Sequence, residues 1–70
     1  MEHSEALAEQ TAGRIAEVIK ENGTTVSWLC SKTGIPRTTM TRSLGGARPF
    51  NLTEVERIAG ALRVSVADLV

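Results

Sequence analysis

The sequence predicts an all-α fold, a compact bundle of five short helices. Three observations carry that prediction. Leu7, Thr11, Ile15, Val18 and Ile19 recur at three- and four-residue spacing and trace one helical stripe. Capping residues, glycines and a proline then punctuate the chain at helix-length intervals. Nothing favours strands, and Trp28 and Phe50 are the only aromatic residues. A chain of 70 residues makes one domain with a small core, and Cys30 has no second cysteine to pair with. Small domains without staples survive by packing helices through short loops.

Ser4 is the expected N-cap of the first helix, which runs to Asn22–Gly23, a left-handed stop. The glutamates near its start suit the positive end of the helix dipole. Thr24 or Thr25 caps a second helix, roughly Val26 to Thr33, which buries Leu29 and Cys30 and ends at Gly34. Pro36 fits the first turn of a third helix, because its missing N–H would have no intrahelical partner there. That helix runs to about Leu44, turns Met40 and Leu44 inward, and stops at Gly45-Gly46. Asn51 and Glu54 match a capping-box pattern opening a fourth helix, about Leu52 to Leu62. Its expected buried residues are Leu52, Val55, Ile58, Ala59 and Leu62. Ser65 caps a last turn or two, VADLV, that ends at Val70.

The formal net charge is zero, which by itself argues against a polyanion partner. The distribution of charge along the chain points the other way. Residues 1–22 set five glutamates against Arg14 and Lys20, and residues 50–70 set Glu54, Glu56 and Asp68 against Arg57 and Arg63. Between them Lys32, Arg37, Arg42 and Arg48 meet no acid at all. One electropositive face between acidic flanks is the expected result. His3 and Cys30 stand alone, so no metal-ligand spacing exists. No nucleophile–base pair, paired carboxylates or phosphate-cradling glycine loop emerges. These absences predict a non-enzymatic protein with no cofactor, no metal and no small-molecule substrate. The acidic N-terminus MEHSEALAEQ is not a signal peptide, and no apolar run approaches bilayer length. The expectation is a reduced, cytoplasmic protein with no membrane partner.

Two short helices joined by a tight, glycine-containing turn form a helix-turn-helix, whose second helix can enter a DNA major groove. Residues 25–44, TVSWLCSKTGIPRTTMTRSL, resemble the Cro/C1-type (lambda repressor-like) helix-turn-helix family of phage and bacterial repressors. The match rests on Leu29 and small Cys30 in the first helix of the motif, Gly34 in its turn, Ile35 after it, and Met40 inward in the second. It continues through RPFNLTEVERIAGALRVSVADLV, where Ile58-Ala59, Leu62 and Val64 fit the downstream pattern IAxxLxV. The resemblance implies sequence-specific binding of a double-stranded DNA operator by a transcriptional regulator, of the kind that controls immunity or lysogeny. It also implies action at the nucleoid of a bacterial host.

The family pattern places base-reading side chains on one face of the recognition helix, here Arg37, Thr38, Thr41 and Arg42. Helix geometry supports that set independently: at about 100° per residue the four lie within an arc of roughly 140° that contains neither Met40 nor Leu44. Arginine can grip guanine O6 and N7 together, and threonine can offer its hydroxyl to a base or phosphate and its methyl to thymine. The competing reading is a solvated polar face, although this helix contains no acid to pair with its arginines. Phosphate contacts are expected from Thr25 and Ser27 at the start of the second helix, from Thr39, and from Arg48 in the following loop. Lys32 is either a further phosphate contact or a solubilising residue.

The chain departs from the family in places. Many members open the motif with glutamine, where Val26 stands here. A glutamate after the recognition helix often pairs with an arginine of the first helix, and those positions are Leu44 and Ile19. An apolar contact in place of an ion pair leaves the fold unthreatened. Trp28 either packs on the first helix or the entry loop, or forms an exposed apolar anchor for a partner. Cys30 reads as a core residue. The alternative function is a helix-turn-helix interaction module, an antitoxin or anti-repressor, binding protein through Trp28 or VADLV. Relatives commonly dimerise. Here either Val66, Leu69 and Val70 form a small homodimer interface, or the chain is the N-terminal domain of a longer repressor with an additional C-terminal domain.

Overall fold

The computed structural model describes the chain from Glu2 to Val70, with its side chains from Glu9 onward. Its order is α1 (Glu2–Glu21), α2 (Val26–Thr33), α3 (Arg37–Leu44) and α4 (Leu52–Leu62), followed by a 3-10 turn at Val66–Asp68. The fold among these residues is all-helical, but the fifth helix is only that single turn. Helix α1 already starts at Glu2, so Ser4 falls inside it rather than capping it. The Leu7 position in the apolar stripe lies outside the described side chains.

The caps are local chemistry. The Thr25 hydroxyl accepts the Trp28 N–H at 3.1 Å, which settles the choice between Thr24 and Thr25. Thr24 instead donates its hydroxyl to the Ile19 carbonyl at 3.2 Å. At the end of α2, Gly34 has φ 77°, a backbone region open to glycine but strained for other residues, and its N–H returns to the Cys30 carbonyl. Pro36 sits one residue earlier than expected relative to the helix. Its backbone stays extended while its carbonyl accepts the Met40 N–H at 2.9 Å, making it the N-cap of α3. The Asn51–Glu54 capping box is complete, with Asn51 Oδ1 accepting from Glu54 N at 2.7 Å and Glu54 Oε1 from Asn51 N at 3.0 Å. Ser65 is the N-cap of the last turn, and its carbonyl accepts the Asp68 N–H at 3.0 Å. Its hydroxyl and its N–H both donate to the Asp68 carboxylate.

The core draws on every element: Ile15 and Ile19 of α1, Leu29 of α2, Ile35 of the turn, Met40 of α3, and Val55, Ile58, Ala59 and Leu62 of α4. Ala12 is buried as well, while Thr11 beside it is only half-buried. Helix α2 packs against α3 and α4, and α1 against α3. The Asn22 amide donates to the Leu62 carbonyl at 3.3 Å, tying the ends of α1 and α4.

Four burial expectations change. Leu52, expected inside, is 66% exposed, because it opens α4 one turn before Val55, the first residue of that helix to reach the core. Leu44 is half-buried, and Ser43 takes the fully inward position beside Met40. Cys30 is half-buried against the core. Leu69, one of the three residues expected at a dimer interface, is fully buried in the chain's own core, which leaves only Val70 of that trio exposed.

Candidate nucleic-acid interface

The inward pair Met40 and Ser43 fixes which way α3 faces. Met40 has no exposed surface and Ser43 has 1%. Arg37, Thr38, Thr41 and Arg42 consequently emerge together on the solvent side, all four exposed. Thr39 lies at the edge, half-buried. The turn before α3 is braced from inside. Thr33, only 7% exposed, donates its hydroxyl to the Leu29 carbonyl at 2.8 Å and accepts the Ile35 N–H at 3.3 Å. A threonine at a helix end read from sequence as an ordinary last residue therefore joins α2 to the turn.

The basic middle of the chain resolves into different surroundings for its four cations. Arg37 Nη1 donates to Ser27 Oγ at 2.6 Å, bringing a base-reading candidate of α3 against a phosphate candidate of α2. Lys32 Nζ lies 5.9 Å from the centre of the Trp28 ring, within cation–π range. Trp28 itself is half-buried and packed against the core, in line with the packing alternative. Arg42 is exposed at the far end of α3.

Arg48 is built in more firmly. Its Nη1 donates to the Ser43 hydroxyl at 2.7 Å and stands 3.3 Å from Glu54 Oε1, a carboxylate whose side chain is 14% exposed. Among the described residues this is the single ion pair. Sequence reasoning placed Glu54 in the capping box and missed its second partner. The loop GGARPF can close this way because α3 ends with Gly46 at φ 83° and the Ala47 N–H returning to the Arg42 carbonyl. Ser27 and Thr25 stand exposed in and before the first turn of α2, where backbone N–H groups have no intrahelical partner. Thr25 spends one lone pair on its own helix and Ser27 accepts from Arg37, but each hydroxyl proton remains free to donate.

The surface thus offers exposed donors and cations on two adjoining helices, and the Glu54 carboxylate stands at its Arg48 edge. Such a surface suits an anion with a regular backbone and edges presenting acceptors. Among the described residues no helix is long and apolar enough to cross a membrane. A family model described as a Cro/C1-type HTH DNA-binding domain matches residues 14–70. Neither a curated protein nor a solved structure gives a match.

Proposed function

The chain belongs to the Cro/C1-type helix-turn-helix DNA-binding family, and from that membership we propose that it is a sequence-specific transcriptional repressor of the temperate-phage kind. Helix α3 lies in the major groove of a double-stranded operator, in the cytoplasm of a bacterial host. The observation that supports this reading is the face of α3: Arg37, Thr38, Thr41 and Arg42 are exposed together and no acid lies on that helix. Arg37 and Arg42 read guanine with two donors each, a contact that discriminates by about 1–3 kcal/mol. Thr25, Ser27, Lys32, Thr39 and Arg48 hold the phosphates on either side and set the register.

Selection of preferred sites from random DNA tests the proposal directly. The expected product is one defined sequence, and a palindrome with half-sites about 34–36 Å apart means a homodimer reads it. Affinity for that sequence should fall with salt, with a log–log slope of about −2 to −4 for a few neutralised phosphates. Arg37→Ala should relax preference at one base position. Recovery of unrelated sequences only, with tight binding to a protein partner instead, would sink the repressor reading in favour of an interaction module.

A further inference from the structure

The proposal gives Arg37 to a base and Ser27 to a phosphate as separate contacts, yet the two side chains meet. Arg37 Nη1 donates to Ser27 Oγ at 2.6 Å, between exposed residues of different helices. We propose that Ser27 is a positioning residue for Arg37, holding the guanidinium ready for the groove. Base preference at that position then depends on α2 as well as on α3. This inference rests on the DNA-binding reading of the same surface.

The chemistry of the pair favours the role. A guanidinium is planar and carries five N–H donors in a fixed fork. With Nη1 held by serine, the edge bearing Nε and Nη2 keeps its two parallel donors, the arrangement that meets guanine O6 and N7. A long, free arginine has many rotamers, and holding it beforehand removes part of the ordering cost of binding. The acceptor is also neutral. A carboxylate there would hold Arg37 more strongly but would cancel its charge and repel the approaching phosphates. The serine proton remains available to a phosphate oxygen, so positioning and phosphate contact can coexist in one hydroxyl. The spacing between the two residues is stable because α2 and α3 pack on one another through Leu29, Ile35 and Met40, all buried.

The test compares Ser27→Ala, Ser27→Thr, Arg37→Ala and the double variant Ser27→Ala/Arg37→Ala. Each is titrated against the selected DNA site and against a copy changed at the base where Arg37→Ala relaxes preference. Ser27→Ala should reduce discrimination between the two DNAs by about 3- to 10-fold, with an unchanged melting temperature. The reduction should vanish in the Arg37→Ala background, and Ser27→Thr should restore it. An equal loss on both DNAs, or the same loss with and without Arg37, would reduce Ser27 to an independent phosphate contact and overturn the inference while leaving the proposed function intact. Unaltered preference in Arg37→Ala would remove Arg37 as a base reader, and this inference with it. Failure of the wild-type chain to prefer any DNA would instead overturn the proposed function itself.

Discussion

The two ends of α3 carry the same chemical pair in different settings. At its start, Arg37 donates to Ser27, and both are exposed. Past its end, Arg48 donates to Ser43, but there the serine is buried and Glu54 completes the set. An arginine with a carboxylate and a buried hydroxyl is a fastening, because separating it strands polar groups away from water. An arginine resting on one exposed neutral hydroxyl costs little to release and keeps its full charge. The helix is therefore anchored at its C-terminal end and left open at its N-terminal end. Stability and the proposed recognition thus draw mainly on different ends of the helix.

The largest effect is expected from removing what holds the middle. Met40 has no exposed surface and sits between the two ends. Met40→Ala should cost about 2–5 kcal/mol through lost burial and the cavity left behind. A domain of this length has roughly 4–10 kcal/mol in all, so both ends should lose their geometry together. Urea unfolding followed by helical circular dichroism reads the change. A loss below about 1 kcal/mol would mean that the helix is held mainly by its ends.

Cutting the fastening tests the contrast between the ends directly. Arg48→Ala leaves the buried Ser43 hydroxyl without that donor and Glu54 without its cation. Discounted for a partly exposed pair, the expected loss is about 1–2 kcal/mol. For a domain of this size that lowers Tm by roughly 4–8 °C per kcal/mol. Arg37→Ala at the open end should stay within about 0.5 kcal/mol of wild type. Equal Tm losses for the two variants would erase the distinction. The same Arg48 variant tests the proposed phosphate contact, since its loss should lower the salt slope by about 1. An unchanged slope with a lower Tm would make Arg48 a fastening alone.

The open end was legible in the sequence and the fastened end only in part. Exposure of Thr38, Thr41 and Arg42 follows from helical phase once Met40 is known to point inward, and phase is a local property; Arg37 stands only about 60° from Met40, as the buried Ser43 does. The caps at Thr25, Gly34 and Asn51 were legible for the same reason, because each joins residues three or four apart. Ser43 and Leu52 show where local reasoning stops. A serine adjoining the polar face becomes buried because a loop arginine folds back over it. A leucine in phase with Val55 stays outside because the first turn of α4 overhangs the core. Leu69 lies in the core through packing of the terminal turn on α4, a contact that no short periodic pattern announces. The link between Ser27 and Arg37 likewise depends on how two helices cross.

The smallest expected effect has the opposite sign, and it separates holding from reading most cleanly. Thr41 is exposed in the middle of α3, and nothing in its surroundings uses the side chain to hold the helix. A β-branched residue there loses rotamer freedom that alanine does not have to lose. Thr41→Ala should therefore stabilise the domain by about 0.5 kcal/mol, the difference in helix propensity. If the open face exists for recognition, the same substitution should weaken binding to the selected DNA site, since both the hydroxyl and the methyl that face a base are lost. A gain in Tm with a loss in affinity would show a residue retained for contact at a small cost to the fold. A loss in both would place Thr41 with Met40 and Arg48 among the residues that hold α3, and the open face would shrink to its first turn.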